Sequence, residues 1–240
     1  MNVRASVFFV TAAVSLAGSG PAGDSLESPE AIVERYEAVT QSQSKALQSA
    51  SMELDIQASV PKLQKHGRLQ ALRRISALGR ITYEVLHFEG DGVIKNHVIE
   101  HYLAAEREAQ VKAADIAVTP ENYKFKFKGR HQLDGRNVYL FEVTPRQKRD
   151  GLFKGSLWID AATFTSVRES GRLVKNPSRL WARNVQFVRI YDVKDGISTP
   201  RQMQSSGEAL GFGKIELTVK YSHISLDDKH SIATEEIPQE

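Results

Sequence analysis

The chain has 240 residues, 41% hydrophobic and 25% charged, an ordinary globular composition with enough length to bury a core without staples. It contains no cysteine, which excludes disulfides, thiolate metal sites, cysteine nucleophiles and lipid attachment through sulfur. A formal net charge of +3 is too small to argue for nucleic acid as a partner.

Residues 1–22 read as a signal peptide, with Arg4 at the positive start, Ala5–Ala17 an uncharged apolar run and Gly18–Ala22 a small-residue exit. The run is too short for a hydrocarbon core of about 30 Å, so removal is expected and not anchoring. Leu16-Ala17-Gly18-Ser19 resembles a lipoprotein processing box with Ser19 where the acylated cysteine would stand. The expected mature chain is therefore exported, periplasmic and soluble, and begins near Gly18 or Gly23.

Ser28-Pro29 places a hydroxyl at an N-cap and proline at the first helical position. Ile32, Val33, Tyr36 and Val39 follow at helical spacing, which predicts an amphipathic helix to about Gln48. The period then changes to two, with Met52, Leu54, Ile56, Ala58 and Val60 alternating with polar residues in a strand. From Lys62 to Arg80 six basic residues and no acidic ones are interleaved with Leu69, Leu72, Ile75 and Leu78. A basic amphipathic helix is one reading, but renewed alternation from Arg80 favours two strands meeting near Leu78-Gly79.

Gly90-Asp91-Gly92 breaks the sheet, Asp91 is positioned as a cap, and Val93–Lys112 reads as the longest helix, with Ile94, Val98, Tyr102 and Ala105 on one stripe. Inside it, His97-Val98-Ile99-Glu100-His101 has the spacing that presents two imidazoles to zinc with a glutamate as base. A five-residue pattern is weakly specific and no third ligand is evident downstream, so an exposed helical face is preferred and no metal or cofactor is expected. In Asn122–Lys128 aromatics and lysines alternate, and strand geometry sends them to opposite faces. A base stacked on those aromatics would not meet the lysines, which argues against a single-strand nucleic-acid platform. Nine basic residues against three acidic ones between Lys124 and Lys154 make a locally positive surface suited to anionic head groups or acidic partners.

Asn137–Arg168 is the stretch around which the chain is organised. Its two-residue alternation and its turns at Pro145–Gly151 and Asp160–Thr163 predict three consecutive antiparallel strands. Ser170–Ser178 reads as a polar connection and Trp181 as the lead-in to a strand in which Val185, Phe187 and Arg189 share a parity. Asp195-Gly196 signals a hairpin, and Pro200 suits an edge strand or a first strand position. Gly207, Gly211 and Gly213 lack a dinucleotide fingerprint and read as a flexible hairpin or bulge. Ile215, Leu217, Val219 and Tyr221 form the last strong strand. The expected organisation is a signal peptide (1–22), one domain (23–226) and an acidic tail (227–240).

The order YLFEVTP, a basic hairpin tip, GSLWIDAATFTSVRESG, then FVRIYDVKDGISTPRQMQS and GKIELTVKYSHI resembles the LolA/LolB lipoprotein-localisation superfamily, in particular its outer-membrane lipoprotein-sorting group. The likeness runs from about Met52 to Ile224 and rests on strand order and turn placement. It implies an α+β fold, mostly antiparallel β: a curled half-open β-barrel covered by helices, with an apolar cavity for acyl chains. The resulting expectation is an exported carrier of lipid or lipoprotein acyl chains, not an enzyme, with envelope proteins or the membrane surface as further partners. Candidate wall residues are Leu54, Ile56, Phe125, Phe127, Leu140, Trp158, Phe187 and Leu217, the inward parity being open. Gly90 and Gly92 lie where a hinge for the covering helix would be. The alternatives are an envelope stress or assembly protein of the same fold, resembling RseB-type regulators, and a zinc hydrolase acting through His97, Glu100 and His101.

Overall fold

A computed structural model describes residues 27–175 and 182–226; the expected signal peptide, Trp181 and the acidic tail lie outside them. The change of period at Met52 is where helix gives way to sheet. Helix α1 (Pro29–Ala46) starts as expected, with the Ser28 Oγ accepting from the Ala31 N–H at 3.2 Å. It buries Ile32, Val33 and Tyr36, each side chain contributing about 1.5–3 kcal/mol. The first three strands, β1 (Ser51–Val60), β2 (Lys65–Ile75) and β3 (Ile81–Gly90), form a meander. A helical run follows, here called α2, made of Gly92–Ile94, a π-helical turn at Lys95–Ile99 and Glu100–Val111. One short helix, α3 (Ala113–Ile116), leads into β4 (Tyr123–Leu133). The remaining strands are β5 (Arg136–Pro145), β6 (Phe153–Asp160), β7 (Ser166–Leu173), β8 (Arg183–Lys194), β9 (Ile197–Ala209) and β10 (Gly213–Ser225).

All ten strands join one antiparallel sheet in the order β3-β2-β1-β10-β9-β8-β7-β6-β5-β4. Strands β3 and β4 are its two unpaired edges, so the sheet is curled and unclosed, as the resemblance implies. Two cores form on its inner face. Under α2 lie Met52, Leu54, Ile56 and Val60 of β1, Leu69 and Ala71 of β2, and Leu217 and Val219 of β10. Against α1 pack Tyr123, Phe141, Val143, Leu157 and Ile159 of β4 to β6. Among the described residues no helix is long and apolar enough to cross a membrane.

Three local expectations are corrected and a fourth is qualified. Helix α1 ends at Ala46, short of Gln48. Asp91 precedes α2 but makes no side-chain cap; its carboxylate instead accepts from the His66 N–H at 3.3 Å, tying the helix start to β2. The first residues of Ser170–Ser178 continue β7 to Leu173, because Ser170 and Gly171 pair with both β6 and β8. Pro200 is not first in its strand: it faces Tyr191 inside β9, beside an irregularity between Ile190 and Tyr191, but the pairing of β9 with β10 stops at Gln202, so Pro200 is paired on one side only, a local edge as expected. A bulge relaxes the need for a ladder N–H, which proline lacks.

Candidate functional site

Ten strands at about 4.8 Å spacing span roughly 43 Å around the curl, while a helix with its side chains is about 10–12 Å wide. Two helices do not fill that width evenly, and the stretch where their two cores meet is floored mainly by β7 to β9. The inward residues there are also small. Ser205 and Gly207 of β9 stand opposite Leu217 and Ile215, and opposite Phe187 and Val185 on the other side. The result is a cleft between the two cores, with lobes of about 430 Å³ and 180 Å³ that share Glu106, Ala109, Ile116, Gly151 and Arg189 as walls. Those volumes fall near or below the lower part of the roughly 300–1,000 Å³ range of small-molecule sites.

Each wall is held by named contacts. Helix α1 is clamped to the β8–β9 hairpin by Gln43, which donates to the Gly196 carbonyl at 2.7 Å and accepts from the Ser198 N–H at 2.8 Å. The Ser166 hydroxyl donates to the Tyr36 hydroxyl at 3.4 Å. On the other side, Tyr83 of β3 donates to Glu106 of α2 at 3.0 Å, and the hydroxyls of Tyr102 and Tyr221 lie 3.4 Å apart. Helix α3 closes one end. Asn122 donates to the Ala114 and Ala117 carbonyls at 2.9 and 3.0 Å, and Ile116 packs so close to Gly151 that a Cβ there would sit 2.9 Å from its Cγ2. Gly151 has φ +84°, a second reason for glycine at that turn.

The smaller lobe has Ile116, Leu173, Val185, Phe187 and Met203 in its wall, together with the charged side chains Glu106, Glu108, Lys112, Asp150 and Arg189. The larger has a polar floor: Arg73 of β2, Glu169 of β7, Arg189 and Tyr191 of β8, and Tyr221 of β10. Arg189 donates to Glu169 at 3.3 Å and lies 4.7 Å from the centre of the Phe187 ring. Burial raises the Tyr36 and Tyr191 hydroxyls well above the ordinary range and pushes Tyr221 up to about 12, so all three stay protonated at neutral pH. This polar floor was not among the expected wall residues. Its signal was Arg189 sharing a strand parity with Val185 and Phe187, a charge on an otherwise apolar face.

The eight expected wall residues divide three ways. Phe187 borders the cleft. Leu54, Ile56 and Leu217 are packed into the core beneath α2, and Phe125 and Phe127 into or against the core beneath α1, where they meet Phe141 at 6.0 and 5.2 Å. Leu140 and Trp158 face the other way. They pair with each other on the convex face, where the Arg168 guanidinium lies 5.3 Å from the Trp158 ring centre. Strand β5 is apolar at both parities from Val138 to Phe141, so alternation could not settle which set faces inward, and the arginine stem shields the outer set from water.

His97, Glu100 and His101 are exposed on α2, the two rings stacked at 6.4 Å with Phe212 5.8 Å from His97. Among the described residues no group of three or more His, Cys, Asp or Glu is placed to hold a metal ion.

No protein-family model matches the chain, and no curated protein matches it by sequence. Solved structures with a similar fold include a DUF1329 family protein from Desulfovibrio piger, at 12% identity and TM-score 0.42, covering 83% of this chain and 95% of that one. A LolA superfamily protein from Nitrosomonas europaea shows 14% identity and TM-score 0.40, covering 80% and 94%. A domain assigned to outer membrane lipoprotein sorting from Vibrio parahaemolyticus shows 11% identity and TM-score 0.43, covering 82% and 92%. The second and third of these carry the names of the superfamily and the sorting group that the sequence resembles.

Proposed function

We propose that the protein is an exported carrier that binds an acyl chain of a lipid or lipoprotein in the cleft between α1 and α2. The observation that supports this is the cavity left where the two cores meet, in which Leu173, Val185, Phe187 and Met203 of the sheet face Tyr102, Ala105 and Ala109 of α2 across open space. An acyl chain entering it gains about 0.8 kcal/mol per methylene removed from water, so roughly ten methylenes gain about 8 kcal/mol before the costs of association. Release requires α2 to move. Gly90, at φ +105° and with the His66 carbonyl oxygen 2.5 Å from where a Cβ would stand, is the joint from which α2 departs.

The test is fluorescence titration with a long-chain fatty-acid probe. Ala109 lies on α2 and lines both lobes, so Ala109→Trp should fill the cleft and abolish saturable binding, while Leu140→Asp on the convex face should leave it unchanged. No binding by the unaltered protein, or equal loss in both variants, would defeat the reading.

A protein partner is the second reading, favoured by β3. This ten-residue edge strand exposes Val85 and Leu86, which is the surface on which an extended peptide adds a strand. Capture of a partner that is lost on Val85→Pro, with fatty-acid binding absent, would replace the carrier reading with this one.

A further inference from the structure

The floor of the cleft is charged where a pure acyl-chain pocket would be apolar. Arg73 and Arg189 line the same lobe, and each reaches it from an inward position of the sheet between hydrophobic neighbours. Arg73 follows Leu69 and Ala71 on the inner parity of β2, and Arg189 follows Val185 and Phe187 on that of β8. Taking two guanidinium groups out of bulk water is costly unless their donors are used. Protein partners use only part of them. Arg189 spends one N–H on Glu169, at 3.3 Å, and its side chain keeps 47% of its surface accessible while the Glu169 side chain keeps 8%. The carboxylate is thus the more covered member of the pair, and the arginine is the more accessible one on this side of the cleft. Arg73 donates to the Met52 sulfur at 3.3 Å, a weak acceptor, and its buried Nε has no hydrogen-bond partner among the described residues. Glu106, in the same lobe, accepts the Tyr83 hydroxyl and adds a second carboxylate, so the charges lining this lobe balance, and it is unused guanidinium donors, not a net positive charge, that are offered to a ligand. The hydroxyls of Tyr191 and Tyr221 remain protonated and add neutral donors to the same wall.

Building on the acyl-chain reading, we infer that the cleft selects amphiphiles with an oxyanion head group, carboxylate or phosphate, held by the guanidinium donors of Arg189 and Arg73 while the chain runs into the smaller lobe beside Phe187 and Met203. The planar fork of arginine matches two oxygens of such a group, and charge-assisted hydrogen bonds of this kind are roughly twice as strong as neutral ones. The head group therefore sets selectivity, and the chain supplies most of the affinity.

The experiment compares oleate, oleyl phosphate, oleyl alcohol and acetate by isothermal calorimetry at pH 8 on the unaltered protein and on Arg73→Gln, Arg189→Gln and the double variant Glu169→Gln/Arg189→Gln. The double variant removes the pair together and so avoids stranding a buried carboxylate; circular dichroism and thermal melts verify that each variant is folded. The expected result is at least about tenfold tighter binding of oleate and oleyl phosphate than of the alcohol, the effect of a charge-assisted hydrogen bond. That preference should fall to about twofold in the double variant with affinity for the alcohol kept, and acetate should not bind. Equal binding of oleate, oleyl phosphate and oleyl alcohol by the unaltered protein overturns the head-group inference and leaves the acyl carrier standing. Absence of binding by all the long-chain ligands overturns both. Binding of acetate as tight as that of oleate overturns the amphiphile and leaves a small-anion site.

Discussion

Phe187 and Phe141 are both inward phenylalanines of the α1-side core, yet truncating them should have different costs. Phe141 is 1% exposed and enclosed by Phe125 and Phe127, so Phe141→Ala leaves a sealed void. Its cost belongs in the upper part of the usual range, about 4–5 kcal/mol. Phe187 is 7% exposed, stacks edge-on against Phe153 at 4.9 Å and 81°, and lies beneath Arg189. In Phe187→Ala those contacts and the transfer free energy are lost, but the vacated space joins the cleft and water can enter it. The void term is then absent, and the cost should be about 2–3 kcal/mol. A difference of about 2 kcal/mol corresponds, at about 24 cal/mol per Å³, to roughly 80 Å³ of sealed void, close to what removing a ring should leave. Urea denaturation with extrapolation to water, at unchanged m-value, measures both numbers. For a domain of this size the same difference separates the two melting temperatures by about 4–8 °C. If Phe187→Ala costs as much as Phe141→Ala, Phe187 is sealed core and there is no open cleft beside it.

Gly155→Ala should cost about 3 kcal/mol or more by the same assay, because a Cβ there would overlap the Ser170 carbonyl oxygen and lie 2.6 Å from the Gly171 Cα across the β6–β7 ladder; a cost below 1 kcal/mol would mean the strands are less tightly apposed. Folding raises the Tyr123 and Tyr221 hydroxyls, chiefly through burial, to about 12, so their contribution is full below the unfolded value near 10 and is lost as pH climbs from about 10 to about 12. Alkaline unfolding in that window should be measurable by circular dichroism and should be reduced in Tyr221→Phe; a flat profile to pH 12 contradicts it. Asp55 accepts from Arg68 at 2.9 and 2.7 Å, which holds its carboxyl below the usual range, so its contribution is present above the unfolded value of about 3.9 and disappears as pH falls through the lower folded one. Asp55→Asn should flatten the acid limb of stability, and an unchanged limb counts against the pairing. Metal analysis of the purified protein should find no stoichiometric zinc at His97 and His101; zinc that is lost on His101→Ala would reverse that reading.

Local periodicity was enough to place most elements. The switch from period 3.6 to period 2 at Met52, the return to helix after Gly92 and the alternation of β4, β5, β6 and β10 are all properties of short windows. Hydrophobic burial enforces them wherever one face meets a core. Pairing direction followed too, because short turns such as Asp195-Gly196 permit only antiparallel neighbours. Three things needed the tertiary structure. The inward parity of β5 was open, since Val138, Tyr139, Leu140 and Phe141 are all apolar; only its register with Trp158 and Leu157 sent Leu140 outward. Pro200 within β9 is allowed because pairing with β10 stops at Gln202 and pairing with β8 is irregular beside it, features that depend on the neighbouring strands. The cleft depends on long-range geometry most of all. Whether an apolar strand residue is packed or lines a cavity is decided by which helix lies above it. Leu54 and Ile56 fall under α2, and Phe187 lies at the border between the α1-side core and the cleft. The same cleft brings Arg73, from one end of the chain, into one lobe with Glu169 and Arg189 from the other. Charges so far apart in sequence leave no joint signature in any window, because it is the curl of the sheet that places them together.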